Sequence, residues 1–264
     1  MKRLNLPEQI HKWLEGKSYT VDDIGMSGNQ VLIFDDMVLK IEENSTTMEE
    51  QVNLMQWLDG KLSVPKVLAY EVTGETSYLL MTKMEGNMSC DTYYLEHSDI
   101  LLKALAVGLK TLWEVDIAGC PRVRDLDLIL KDARYQVEHD LVDVDDADPN
   151  TFGANGFESP KHLLEWLEQN RPEWDPVFSH GDYCLPNVFL ENENFKGFID
   201  LDRAGVCDRW NDIAICYRSL KYNFNGTYGG KVYEDFKAEK LFEALEIEPD
   251  WDKIRYYLLL DELF

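Results

Sequence analysis

Phe178-Ser179-His180-Gly181-Asp182-Tyr183-Cys184-Leu185-Pro186-Asn187, followed by Gly197-Phe198-Ile199-Asp200-Leu201-Asp202, is the stretch on which the reading of the whole chain turns. It sets a carboxylate at Asp182, a carboxamide five residues on at Asn187, and a second carboxylate eighteen residues on at Asp200, with short apolar runs between them. Phosphoryl transfer asks for these groups. An Asp orients a hydroxyl and accepts its proton, while an Asn and a second Asp hold the magnesium ions that neutralise the phosphates.

The pattern H-x-D-x-x-x-x-N, leading through a hairpin to a metal-binding Asp, is the spacing of kinase catalytic loops. Upstream of it, Pro7 to Leu14 reads as a short helix with Ile10, Trp13 and Leu14 on one face. Val21 to Ile24, Gln30 to Phe34 and Met37 to Ile41 are strand-like runs separated by tight turns. The turn Gly25-Met26-Ser27-Gly28-Asn29 lets backbone approach a phosphate, with Ser27 offering an N–H and a hydroxyl. It is not G-x-G-x-x-G, and a plain hairpin fits the same residues. Lys40, flanked by Val38, Leu39 and Ile41, fits an outward-pointing strand residue when taken alone. Beside the downstream motif it is the candidate to pair the nucleotide's α- and β-phosphates. Met48 to Leu58 has helical spacing, ends at Gly60, and is expected to carry the group that steadies the lysine. Val67 to Val72 and Ser77 to Lys83 complete a small sheet, and Thr82-Lys83-Met84-Glu85-Gly86 reads as a hinge whose backbone meets an adenine edge.

Beyond the hinge the periodicity is helical. Ser98 is expected to cap a helix lined by Leu101, Leu102, Leu105, Leu109 and Leu112, and Leu126 to Leu141 predicts another. The acidic run Asp143 to Asn150 fits a solvated loop or the lining of a cationic substrate's path. Further helices are expected after Ser159-Pro160, after Asp208, over Phe236 to Leu245 and over Trp251 to Phe264.

Charge and cysteine usage narrow the class. Fifty acidic against 26 basic residues give a formal net charge of −24, a field that repels nucleic acid and anionic membrane and attracts cations. Five cysteines without C-x-x-C spacing predict neither a disulfide framework nor a zinc site. No apolar run is long enough to cross a bilayer, so a cytoplasmic location is the expectation. At 264 residues, 45% of them hydrophobic, the chain is long enough to build two lobes around a sizeable core.

Taken together these segments resemble the bacterial aminoglycoside 3′-phosphotransferases, antibiotic kinases that share the protein-kinase fold. The likeness runs through Gly25-Met26-Ser27, Val38-Leu39-Lys40, Trp57 to Leu62, Val64 to Val67, Phe178 to Asp182, Gly197 to Leu201, Asp212-Ile213-Ala214 and the closing Leu259 to Phe264. The resemblance implies an α+β fold, with a small antiparallel sheet lobe over residues 1–83 and a larger, mostly helical lobe over 84–264. It implies Asp182 as catalytic base, Asn187 and Asp200 as magnesium ligands, and Ser27, Lys40, Gln51, Thr82 and Met84 around ATP, with GTP as an alternative. Substrate contacts would come from Asp145, Asp148, Asn150, Arg203, Arg218, Asp261, Glu262 and Phe264, and Asp212 would brace the catalytic loop. The partner is then a polycationic aminoglycoside, and the protein a monomer or homodimer.

Departures from the family pattern are as informative. Gln51 stands where the family's helix carries the glutamate that pairs the lysine, with Glu50 one residue earlier and about 100° round the helix. Tyr222 stands where an acidic substrate contact occurs in the family. Two other readings stay open: a kinase of the same fold for another cationic or hydroxylated small molecule, and a catalytically weak nucleotide-binding homologue.

Overall fold

The computed structural model describes residues 6–21, 30–43, 47–228 and 230–264. The small lobe opens with α1 (Glu8–Leu14), which turns Ile10 and Leu14 inward. Its sheet comprises β1 (Thr20–Val21), β2 (Gln30–Ile33), β3 (Met37–Glu43), β4 (Val67–Thr73) and β5 (Thr76–Thr82), in the order β1-β2-β3-β5-β4 and antiparallel throughout. Helix α2 (Met48–Leu58) follows β3 and packs against β4 and β5.

Strand alternation divides this lobe between two cores. Leu80 joins Leu32, Phe34, Met37 and Leu39 beneath α1, whereas its neighbour Leu79 faces the other way and joins Met48, Val52, Leu54, Met55 and Leu58 of α2. That second group is continuous with the core of the large lobe, which reaches from Leu101 through Phe178 and Ile213 to Leu263. The helix thus packs on the small lobe's sheet while its apolar residues join the large lobe's core.

In the large lobe the main helices are α4 (Ser98–Trp113), α5 (Leu126–Glu138), α6 (Pro160–Gln169), α7 (Arg209–Phe224) and α9 (Trp251–Asp261); α3 (Thr92–Glu96) and α8 (Lys240–Leu245) are short. Asp125, Ser159, Asp208 and Asp250 cap α5, α6, α7 and α9 by accepting from backbone N–H groups of the first turn. Ser98 does not cap α4: it is the first helical residue, and the preceding His97 makes no side-chain cap. The helix foreseen over Phe236 to Leu245 begins only at Lys240, and that foreseen over Leu126 to Leu141 stops at Glu138.

Three strand pairs carry the catalytic stretch. β7 (Pro176–Ser179) runs antiparallel to β10 (Gly205–Asp208), while β8 (Val188–Glu191) pairs with β9 (Asn194–Phe198) and with the short β6 (Asn87–Met88). A single 3₁₀ turn over Leu185–Asn187 leads into β8. Among the described residues no helix is long and apolar enough to cross a membrane.

Candidate active site

The loop after β7 is held by hydrogen bonds from below. Asp212, fully buried on α7, accepts from the backbone N–H of His180 at 2.8 Å and from that of Gly181 at 2.9 Å. Burial pushes its carboxyl up, and the neighbouring His180 with these backbone donors pulls the other way. The expected brace is therefore present. The His180 ring links the two halves of the motif, with Nε2 2.9 Å from the carbonyl of Ile199 and Nδ1 3.3 Å from the N–H of Asp182. One tautomer satisfies both contacts: Nε2–H donates and Nδ1 accepts. Gly181 has φ +82°, and a Cβ there would meet the carbonyl oxygen of Arg203 at 2.2 Å, so both backbone conformation and close approach require glycine. Further support comes from Tyr183, whose hydroxyl donates to the Leu105 carbonyl at 2.8 Å, and from Ser219, which accepts from the N–H of Leu185 at 3.0 Å.

On this platform Asp182 and Asn187 meet. The Asn187 amide nitrogen donates to the Asp182 carboxylate at 2.9 Å and to its main-chain carbonyl at 3.0 Å. The main-chain carbonyl of Asn187 accepts from the N–H of Ile199 at 3.0 Å, which ties the loop to the segment before Asp200. Asp200, at φ +57°, keeps an exposed side chain. Desolvation by the surrounding chain and the neighbouring Asp202 push its carboxyl up, while Lys40 and His180 pull it down. An amide oxygen and a carboxylate are the hard donors that suit magnesium. Among the described residues no cluster of three or more His, Cys, Asp or Glu side chains is arranged to hold a metal, so a magnesium ion here would take Asn187 and Asp200 together with oxygens from outside the chain.

Lys40 lies on the same cleft, from the small lobe. Its ammonium is 2.6 Å from Asp202 Oδ2 and 3.0 Å from Glu42 Oε1. Burial lowers its proton affinity, but Asp202 and then Glu42 outweigh that and hold it above the ordinary lysine range. Gln51, the expected partner, is buried on α2 and makes no hydrogen bond to Lys40. Glu50, the alternative, faces elsewhere: its carboxylate is 3.9 Å from Arg122 Nε. The lysine therefore has charged partners, but they come from its own strand and from the segment after Asp200. Glu42, two residues along the strand, shares a strand face with Lys40, but no spacing in the sequence links Asp202 to it.

Around the hinge, the Thr82 hydroxyl accepts from the N–H of Lys66 at 2.9 Å, and the N–H of Lys83 donates to the Asp36 carbonyl at 3.1 Å. The main chain of Met84 makes no backbone hydrogen bond among the described residues, as an adenine-reading segment requires. Ser27 and its turn lie outside the described residues.

The eight substrate candidates fall in separate places. Asp148, Asn150, Arg218 and Glu262 line one groove of about 420 Å³, together with Tyr222 and Trp251. Arg203, Asp261 and Phe264 instead line a cavity of about 40 Å³ beneath Gly181, far too small for a sugar ring. Asp145 belongs to neither and is exposed, on a turn built by Asp143. The carboxylates at the end of α9 are already compensated within the chain: Arg218 bridges Asp261 and Glu262, and Arg203 is 3.1 Å from Asp261. Tyr222 donates its hydroxyl to Asp148, whose N–H donates to Glu262 at 2.8 Å. Tyr228, packed against Tyr222, was not foreseen. The Tyr228 ring is largely exposed and meets Tyr222 edge-on at 5.7 Å between centroids.

Residues 19–257 match the model of the phosphotransferase enzyme family. An aminoglycoside 3′-phosphotransferase of Enterococcus faecalis is 35% identical, and one of Staphylococcus aureus 34% identical, each alignment covering all of both chains. Among solved structures, an aminoglycoside phosphotransferase from Streptomyces rimosus superposes with a TM-score of 0.81 at 22% identity, over 96% of this chain and 95% of that one. An aminoglycoside-3′-phosphotransferase of type VIII gives 0.72 at 24% identity, over 97% of each chain. These two superpositions bear out the fold: an antiparallel sheet lobe joined to a helical lobe in the protein-kinase manner.

Proposed function

The chain belongs to the phosphotransferase enzyme family, and from that premise we propose that it transfers the γ-phosphoryl group of ATP to the 3′-hydroxyl of aminoglycosides such as kanamycin and neomycin, conferring resistance to them. It is an ATP-dependent kinase with an alcohol acceptor. The observation that carries the reading is the meeting of Asp182 and Asn187 at 2.9 Å in a chain that aligns end to end with 3′-phosphotransferases.

Asp182 orients the acceptor hydroxyl and takes its proton, and Asn187 keeps that carboxylate in one rotamer. Lys40 engages the α- and β-phosphates, and the main chain at Thr82 to Met84 receives the adenine. Asn187 and Asp200 would hold magnesium, which offsets the charge that develops on the phosphoryl oxygens. Residues 1–83 act as the nucleotide lobe and 84–264 as the catalytic and substrate lobe. Asp145, Asp148 and Asn150 line the approach of the drug's ammonium groups, which carboxylates bind through charge-assisted hydrogen bonds. The groove beside Tyr222 supports this role for Asp148 and Asn150. Arg203, Arg218, Asp261, Glu262 and Phe264 shape the cleft floor. The protein works in the cytoplasm, as monomer or homodimer, and takes ATP, with GTP as an alternative donor.

Inhibitory concentrations measured on a susceptible strain expressing the protein test the proposal. Drugs bearing a 3′-hydroxyl should lose potency and 3′-deoxy drugs should not. Equal protection against both groups, or none against either, contradicts it.

A further inference from the structure

Lys40 belongs to the small lobe, yet its nearest carboxylate comes from a residue 162 positions away, across the cleft. The helix that packs behind the sheet offers it no charge, since Gln51 is neutral and Glu50 faces Arg122. We propose that Asp202 is the positioning residue for Lys40: it holds the ammonium from the far side of the cleft, where the lysine meets the nucleotide's phosphates. This inference rests on the phosphotransferase reading above.

Three observations support it. The first concerns charge. Glu42, at 3.0 Å and two residues along the same strand, already neutralises the lysine, so a second carboxylate at 2.6 Å is not needed for neutrality; what it adds is direction. The second concerns the anchoring of Asp202. Arg122, buried, donates from Nη1 to the main-chain carbonyls of Leu201, Asp202 and Ala204 at 3.3, 2.8 and 3.2 Å. The carboxylate therefore projects from a fixed backbone two residues after Asp200, and the position of Lys40 is tied to that of the metal-binding segment. The third concerns capacity. An ammonium carries three protons, and two are committed to Glu42 and Asp202. The remaining one suits a phosphate oxygen.

A double-variant cycle with Asp202→Asn and Lys40→Met isolates the coupling, because an effect exerted through the lysine must vanish when the lysine is gone. Two quantities are read for each protein: the dissociation constant for ATP in EDTA by calorimetry, which excludes any action through a metal, and kcat/KM for ATP in magnesium. In the native background D202N should weaken metal-free ATP binding about fivefold and lower kcat/KM for ATP about tenfold, with KM for the acceptor unchanged. In the K40M background the same substitution should change neither by as much as twofold. Equal losses in both backgrounds, or no loss in the native one, overturn the assignment. A native chain that binds and turns over ATP while the cycle shows no coupling refutes only the role of Asp202, whereas a native chain that binds no ATP refutes the phosphotransferase reading itself.

Discussion

At the scale of the residue, the site rests on carboxylates whose partners differ sharply. Asp182 is half-buried and held by Asn187, so Asp182→Asn should preserve the fold and lower kcat by about 10²–10⁴, the range for loss of a positioned proton acceptor. Steady-state kinetics beside a thermal melt separate those effects. Lys40 makes a second prediction. Its proton is held above the ordinary lysine range, so its ion pairs are fully present below that range and are lost only as pH rises through the raised value. No alkaline limb from Lys40 should therefore appear in kcat/KM for ATP between about pH 7 and 10. Since Asp202 is the largest upward influence on a lysine that burial pulls down, D202N should bring such a limb lower. That Asp182 and Asn187 meet was legible, because the five-residue spacing between them is the one the chemistry asks for. Asp202 and Glu42 were not, because an acid near a lysine is common in so acidic a chain and only the fold shows which carboxylates reach it.

At the scale of the element, the catalytic loop owes its shape to a few buried contacts that packing alone would not supply. Asp212→Ala strands the N–H groups of His180 and Gly181 and should cost about 2–4 kcal/mol, read as a lower urea midpoint at unchanged slope. Gly181→Ala faces both a positive φ and a clash with the Arg203 carbonyl, so it should destabilise the fold by at least about 1–3 kcal/mol and reduce turnover as well. The strands flanking the motif and the long helices could be read from periodicity because their patterns are local. β10 could not, because Gly205–Asp208 becomes a strand by pairing with Pro176–Ser179 some thirty residues earlier. α8 was overextended for a related reason: Phe236 and Ala238 are apolar, but they pack as a turn against the core before the helix starts at Lys240.

At the scale of the molecule, the two lobes are bound through α2, whose apolar face lies in the large lobe's core. Unfolding followed by tryptophan fluorescence and by far-UV circular dichroism should therefore give coincident transitions, and separated midpoints would show that the lobes unfold independently. The net charge of −24 makes a polycationic acceptor's approach electrostatically steered, so kcat/KM for the drug should fall with added salt more steeply than kcat/KM for ATP. The two-lobed fold was legible from the order of strand-like and helix-like segments, but the sharing of one core between the lobes was not, since sequence order assigns α2 to the sheet it follows. The central claim is 3′-phosphorylation, and it is tested most directly by the product. Purified protein is incubated with ATP, magnesium and kanamycin, and the phosphorylated drug is analysed by phosphorus–proton correlation NMR. The expected product carries a single phosphate coupled to the proton at the 3′ carbon, with none formed from a 3′-deoxy drug and at least about a hundredfold slower formation by Asp182→Asn. A phosphate on any other position, or equal turnover of the 3′-deoxy drug, would contradict it.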